Sequence, residues 1–302
     1  MSVSSSESLP VLLPGQPWPL ARLAPRPPDS HKGTFGTALI VGGSRGMTGA
    51  VSLAGMAALR GGAGLVRLAV ADVCVDTVAA HDPAYMTVPL RCDRQGRIAL
   101  DARPRILEAA AAATVIGLGP GLGRSLGLDT LVAWLYQHQP QPMVVDADAL
   151  NALAVQPEVF SRAGGPRILT PHPGEFARLY GHKPAAEQRS DAAAELARRY
   201  GVIVVLKGHE TCTTDGARHA LNTTGNPGMA TGGTGDVLTG LITALACQGL
   251  SPFDAARLGV YVHGMAGDLA AAELGQLGMT ASDLIRFLPP ALEAAVGGGR
   301  ML

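Results

Sequence analysis

The chain has 302 residues, of which 47% are hydrophobic and only 4% aromatic, and its acidic and basic side chains balance to a formal net charge of zero. That length supports one large α/β domain or two small ones, with a core that must be built from Ala, Val and Leu. Balanced charge argues against nucleic acid or an anionic membrane as main partner, and no uninterrupted apolar run of about 18 residues is present to span a membrane.

The N-terminus has no basic segment followed by a long apolar one, so no signal peptide is expected. Cys74, Cys92, Cys212 and Cys247 show no CxxC spacing. That predicts a reduced, cytoplasmic setting and no structural zinc site. Residues 1–30 are Ser-rich, then Pro-rich, ending in Arg26-Pro27-Pro28-Asp29-Ser30. Such proline spacing forbids regular helix. A flexible leader and an arm docking on a neighbouring subunit both fit.

From residue 31 to 302 neither a repeat nor a composition shift divides the chain, which predicts a single domain. Residues 36–41 form a short apolar run with β-branched residues, the signature of a buried strand. Gly42 to Ala50 follow as a loop, then a small-residue helix to about Leu59, a glycine stop and a strand at 65–70. Strand, helix and strand in that order indicate a parallel sheet. The alternation continues: a helix capped by Asp72, a strand at 85–90, a helix at 101–112 and a strand at 113–117. Next come a helix at 126–138, a strand at 143–146 and a short helix at 148–153. A strand at 167–170, a helix at 187–200 and a strand at 202–207 follow. Residues 211–221 read as a hairpin turning on Asp215-Gly216. A glycine-dense loop from Asn222 leads into a helix after Gly233-Thr234-Gly235-Asp236. Helices at 252–274 and from 280 complete the chain. The prediction is a mainly parallel sheet with helices on both faces, whose ligands bind at the carboxyl ends of the strands.

Every polar, glycine-rich segment follows a predicted strand, so their chemistry should converge on one edge. The helix after Gly233 opens with unpaired N–H groups and a partial positive charge. Glycines let an anion approach those groups, and Asp236 adds a carboxylate to the same turn. An anion hole beside a general base suits phosphoryl transfer; an ordinary loop with a helix-start acid is the bland alternative. Neither a Walker P-loop nor a GxGxxG motif is present. Gly117 to Gly123, with four glycines and a proline, permits close backbone approach to a ligand. Asp146 ends a strand, where a carboxylate can hold Mg²⁺ through water, while Asp148 reads as a helix N-cap. His172, in Thr170-Pro171-His172-Pro173-Gly174-Glu175, is presented on a loop stiffened by two prolines. Glu175 fits either a first-turn helix charge or a water-mediated metal partner. Lys207 ends a buried strand, where it can meet phosphate or simply face solvent. Before the first helix, Thr48 fits a cap and Ala50 a position with room for a ligand.

Taken in order, these strings resemble the ribokinase-like superfamily, and more closely its ADP/ATP-dependent NAD(P)H-hydrate dehydratases. The strings are Lys32 to Gly36, Gly42-Gly43-Ser44 with Thr48-Gly49-Ala50, Gly117 to Gly123, Val145 to Asn151, Thr170 to Glu175, Leu206-Lys207-Gly208 and Asn226 to Asp236. Together they span roughly residues 32 to 290. The resemblance implies a three-layer α/β/α fold around a mainly parallel sheet. It also implies a reaction: the S epimer of hydrated NADH or NADPH is phosphorylated on its C6 hydroxyl, and phosphate is then eliminated. ADP would be the co-substrate, giving AMP, with Mg²⁺ on the phosphates.

By the same resemblance Asp236 takes the hydroxyl proton and contacts substrate, and Gly233 to Gly235 stabilise the phosphoryl charge. The nucleotide would be held by Lys207, Gly208, His209, Glu210 and Thr211, together with Asn226, Pro227, Gly228, Met229, Ala230, Thr231, Gly232, Gly233, Thr234 and Gly235. Ala50, Gly121 and His172 would contact the hydrated dinucleotide. Relatives form tetramers, so a homo-oligomer is expected. Many relatives also carry a fused N-terminal epimerase domain. A leader of about 30 residues is too short for one, so a dehydratase working with a separate epimerase is expected. Two rivals remain. One is a ribokinase-like kinase of a small alcohol such as hydroxyethylthiazole. The other is a nucleotide-binding protein without catalysis.

Overall fold

The computed structural model describes residues 20–296. Among these residues nine strands form one sheet: β1 (Thr37–Val41), β2 (Leu65–Ala71), β3 (Met86–Leu90), β4 (Val115–Leu118), β5 (Met143–Val145), β6 (Arg167–Leu169), β7 (Ile203–Leu206), β8 (Cys212–Thr214) and β9 (His219–Leu221). Their order is β3-β2-β1-β4-β5-β6-β7-β8-β9. Neighbours from β3 to β7 pair in parallel, and β8 and β9 add an antiparallel hairpin. The sheet therefore grows outward from β1 in one direction and from β4 in the other. The crevice between β1 and β4 is a topological switch point, where such sheets bind ligands beyond the strand ends.

The α-helices among the described residues are α1 (Thr48–Arg60), α2 (Val75–Ala79), α3 (Arg103–Ala111), α4 (Leu126–His138), α5 (Ala147–Ala154), α6 (Pro173–Tyr180), α7 (Arg189–Tyr200), α8 (Thr234–Cys247), α9 (Pro252–Leu274) and α10 (Ala281–Val296). Right-handed crossovers turn to the opposite face when strand order reverses. That separates α1 from α4, α5 and α6, which pack on one another in a different layer. Helices α8 and α9 join α1 on its face, and α10 covers them. α8 is buried at every position from Val237 to Cys247, which suits a helix apolar all round. Such packing requires close approach: a Cβ on Gly240 would lie 1.9 Å from the Ala54 carbonyl oxygen of α1.

The expected parallel α/β architecture is the observed one, and the predicted spans of α4 and α9 coincide with the helices. Three local expectations differ. Asp72 stands in a short 3-10 turn before α2 instead of capping a helix. Thr48 is the first residue of α1, after Met47 at the cap position, and makes no capping bond. Residues 20–30 of the leader run along the chain's own core. Leu20 and Leu23 pack against that core, Arg26 donates to the Gly62 carbonyl oxygen at 2.7 Å, and its guanidinium lies 3.8 Å from the Phe35 ring centre. The remainder of the leader, residues 1–19, lies outside the described residues.

Candidate active site

The strand ends supply the floor. Asp146 follows β5 and is buried. Ala147 next to it has φ of 51°, a left-handed conformation that costs an alanine roughly 1–2 kcal/mol. The turn places Asp146 beside Lys207, which ends β7: Lys207 Nζ is 2.8 Å from Asp146 Oδ1 and 3.9 Å from Glu175 Oε2. Thr239 of α8 donates to Asp146 Oδ2 at 2.7 Å. One ammonium thus ties together the ends of β5, β6 and β7, and the hydroxyl adds α8. Burial works against the Lys207 charge, yet Asp146, Glu175 and Asp236 hold its pKa above the ordinary value.

On the loop after β6, His172 caps α6 with its ring. Nδ1 accepts from Gly174 N at 2.9 Å and from Glu175 N at 3.3 Å. Glu175 Oε2 accepts in return from His172 N at 2.8 Å, the reciprocal arrangement of a capping box. Because Nδ1 accepts, the neutral ring carries its proton on Nε2. Burial, then Lys207 and Arg178, lower the His172 pKa below its usual value. Glu175 is buried, and that burial pushes its carboxyl up to about 7 against the pull of Lys207.

The glycine-rich loop ends at Gly233, whose φ of 92° starts α8, and no side chain caps that helix. Its first N–H groups therefore face the strand ends as an anion-binding terminus. A Cβ on Gly235 would sit 3.3 Å from Lys207 Nζ, so the terminus adjoins the charged floor. Asp236 lies in this first turn. Burial, and then the Asp146 charge, push its carboxyl up to about 7, with Lys207 opposing.

A cavity of about 570 Å³ opens beside this terminus. Lys207, Gly208, His209 and Thr211 line one side, and Asn226, Pro227, Met229, Ala230, Thr234 and Gly235 another. Of the residues expected to hold nucleotide, Glu210, Gly228, Thr231, Gly232 and Gly233 do not line it. The sequence reading passed over Asn222, Thr224, Gly225, Leu238, Val260, His263 and Gly264, which do. Two glycines inside the long α9, at 264 and 267, were a usable signal, since glycine is costly in a helix unless something approaches closely.

At the switch point, Ala50 and Gly121 adjoin: a Cβ on Gly121, whose φ is 62°, would lie 3.1 Å from Ala50 Cβ. Ser44 Oγ donates to the Gly121 carbonyl oxygen at 3.0 Å. The same loop meets the floor, because a Cβ on Gly119 would lie 1.8 Å from the Asp146 carbonyl oxygen. Asp148 does not cap a helix. It is the second residue of α5, and its Oδ2 accepts from Gly123 N at 2.8 Å, holding the glycine loop.

The acidic residues fit a metal cage poorly. Lys207 and Thr239 engage both oxygens of Asp146, and Glu175 is committed to the His172 cap. Among the described residues no group of three or more His, Cys, Asp or Glu side chains could hold a metal ion. Asp146 and Glu175, expected as metal partners through water, thus also have partners within the chain, which strand-end position alone does not reveal.

Comparison with known proteins agrees with this geometry. A family model described as NAD(P)H-hydrate dehydratase matches residues 38–290. The bifunctional NAD(P)H-hydrate repair enzyme Nnr of Moorella thermoacetica is 47% identical over 276 residues, covering 90% of this chain and 52% of that protein. The chain thus spans about half the length of the curated relatives it matches. Among solved structures, the ADP/ATP-dependent NAD(P)H-hydrate dehydratase of Bacillus subtilis, co-crystallised with ATP and Mg²⁺, is 31% identical with a TM-score of 0.76. It covers 91% of this chain and 95% of its own. A ribokinase-like superfamily protein of Enterococcus faecalis reaches a TM-score of 0.79 at 28% identity, covering 91% and 93%.

Proposed function

The chain belongs to the NAD(P)H-hydrate dehydratase family, and on that premise we propose that it repairs hydrated nicotinamide cofactors. In this reading the substrate is the S epimer of NADH hydrate or NADPH hydrate, and ADP is the phosphoryl donor. The observation that carries the reading is Asp236. Its carboxyl, pushed up to about 7, stands at an uncapped helix terminus that opens on the cavity. A base with that pKa takes a hydroxyl proton efficiently near neutral pH.

Asp236 accepts the C6 hydroxyl proton while the hydroxyl oxygen attacks the terminal phosphorus of ADP, and AMP leaves. The N–H groups of Gly233 to Gly235 stabilise the charge on the transferring group. The phosphate group then departs from C6 with the electrons of its C–O bond while water takes the C5 proton, and the C5–H electron pair restores the C5–C6 double bond. Hydroxide is a poor leaving group and phosphate a good one, which is why a nucleotide is consumed. Lys207 keeps donor capacity beyond its bond to Asp146, since an ammonium has three N–H donors, and it lines the cavity where phosphate would lie. Ala50, Gly121 and His172 receive the hydrated ring and its dinucleotide, with His172 offering Nε2–H as a neutral donor. Mg²⁺ enters this proposal as the counter-ion of the nucleotide phosphates, which suits an ion that keeps several waters and few protein ligands.

No helix among the described residues is long and apolar enough to cross a membrane. The proposal includes a cytoplasmic setting, a homotetramer and a separate epimerase that converts the R hydrate. Leu269, Leu274 and Leu277, exposed near the end of α9, offer an apolar face for a subunit contact, which light scattering on the purified chain would test.

The decisive assay mixes the chain with hydrated NADH, ADP and Mg²⁺ and follows the dihydronicotinamide absorbance. Its return, matched one to one by AMP and phosphate, is expected. A stable phosphorylated product would instead identify a kinase, and no reaction with ADP or ATP would sink the proposal.

A further inference from the structure

α9 is the wall on which the nucleotide loop is moulded. Between β9 and α8 the backbone from Asn222 to Gly233 runs without strand or α-helix, with a single 3-10 turn at Pro227–Met229. A few bonds within the loop, such as Asn222 Nδ2 to the Thr224 carbonyl oxygen, shape it locally, and contacts to α9 anchor it to the fold. Three of them come from one side of α9. Thr224 Oγ1 donates to the Tyr261 carbonyl oxygen at 2.8 Å. Asp268 Oδ2 accepts from Gly225 N at 2.8 Å, and Asp268 Oδ1 accepts from Asn226 Nδ2 at 3.0 Å. Positions 261, 264 and 268 are helical neighbours on one face. On that face a Cβ at Gly264 would lie 2.2 Å from Thr224 Oγ1, and one at Gly267 would lie 2.3 Å from Met229 Sδ. The loop rests directly on the helix.

We propose that Asp268 is a positioning residue for the nucleotide site, its two carboxylate oxygens fixing the Gly225–Asn226 backbone in the shape that receives ADP. Asp268 is absent from the cavity lining, whereas Gly225 and Asn226 are part of it. Asp268 thus acts through the loop and not on the ligand. The bond to Asn226 has a second consequence. It fixes which end of the Asn226 amide is donor, which leaves Asn226 Oδ1 to accept from Gly228 N at 3.0 Å. One carboxylate therefore sets three hydrogen bonds in a row. The inference rests on the cavity being the nucleotide site.

The test is direct ADP binding by titration calorimetry, with steady-state kinetics and melting temperature alongside. Asp268→Ala loses two charge-assisted bonds, and a rise of about 10- to 100-fold in the ADP dissociation constant is expected. KM for ADP should rise in parallel while kcat stays within about threefold, the pattern of lost uniform binding. Asp268→Asn sets an amide against the Asn226 amide, donor facing donor, and should weaken binding as well. Exchange of the pair, Asn226→Asp with Asp268→Asn, restores every bond. The amide oxygen introduced on α9 would accept from Gly225 N, its NH₂ would donate to the carboxylate introduced in the loop, and Gly228 N would keep an acceptor. Because a carboxylate at 226 lies in the cavity lining, the exchanged pair is compared with Asn226→Asp alone, which carries that charge and sets it against Asp268. The pair should bind ADP about tenfold tighter than that single variant, and it keeps the test open if Asp268→Ala does not fold. Wild-type affinity in both Asp268 single variants, or equal weakness in the exchanged pair and Asn226→Asp, would overturn the inference. A wild-type chain that binds no ADP would instead remove the nucleotide reading beneath it.

Discussion

Asp236 is the residue on which chemistry and stability meet. Its carboxyl sits at about 7 against an ordinary 3.8, and Glu175 at about 7 against 4.5. As the proposed base, Asp236 works only when ionised, so kcat should rise with pH, with a midpoint near 7, and level off above it. The stability sign is opposite. Between the ordinary and the raised pKa the folded chain keeps protons that the unfolded chain has released, so stability falls as pH rises through that window. Asp236→Asn removes the ionisation. It should lose about 10²- to 10⁴-fold in kcat while ADP affinity is retained, and it should melt higher than wild type at pH 8, a gap that closes toward pH 4. Scanning calorimetry and a pH series of initial rates check both limbs; retained turnover would take the base role from Asp236. The sequence made this residue legible because Gly-Thr-Gly-Asp before an apolar helical pattern is local information. The pairing of Lys207 with Asp146 and Thr239 was not legible. It joins positions 61 and 93 residues apart in the chain, and only the order of strands in the sheet brings them together.

At the scale of elements, long periodic segments were read well and short ones poorly. α4 and α9 announce both ends: Ser125 and Ser251 cap their first turns, and Gly275 follows the second. α6 escaped notice because its start is two prolines flanking a histidine. A ring nitrogen serving as N-cap lies outside the usual Ser, Thr, Asp and Asn signals. Arg167, at the start of β6, gave no warning either, since a charged residue there reads as exposed. Instead it is fully buried. It donates to the carbonyl oxygens of Tyr136 and Gln139 at 2.6 Å, and to those of Gln141 and Pro166 at 3.0 Å. These oxygens belong to the end of α4 and to the residues that lead into β5 and β6, so one guanidinium caps a helix and fastens it to the sheet. Burial lowers its pKa to about 10, still charged at neutral pH. Arg167→Met would leave the Gln139 and Gln141 carbonyls without a partner at about 1–3 kcal/mol each, while those of Tyr136 and Pro166 keep the N–H groups of Gly164 and Met143. A loss on the order of 4 kcal/mol is expected in urea unfolding, with KM for both substrates unchanged in whatever fraction remains folded. A loss below about 1 kcal/mol would mean that water replaces the guanidinium.

The whole molecule divides its labour along one sheet edge. The switch point between β1 and β4 carries Ala50 and Gly121, and the far side beyond β7 carries the cavity proposed for nucleotide. The ionised floor of Asp146 and Lys207 lies between, with Asp236 above it at the start of α8. In the proposed reading, base and phosphoryl-binding N–H groups share the first turn of α8, which fixes the distance between them. Such rigidity has a consequence for stereochemistry. Hydration at C6 yields two epimers, and in only one does the hydroxyl lie in line with a phosphoryl group held at the α8 terminus. Misplacing a reacting group by about 1 Å costs roughly 10²-fold in rate, and the opposite epimer misplaces it by more. Turning one epimer into the other needs acid–base groups of its own. Given a mixture of R and S hydrates with excess ADP, this chain should therefore restore absorbance only up to the S fraction and then stop. Adding an independent epimerase should carry the reaction to completion without a second dose of chain. Complete conversion of the mixture by the chain alone, in one kinetic phase, would mean either that the site admits both faces of the ring or that it interconverts them, and the fixed geometry of Asp236 against the helix terminus would no longer account for the selectivity.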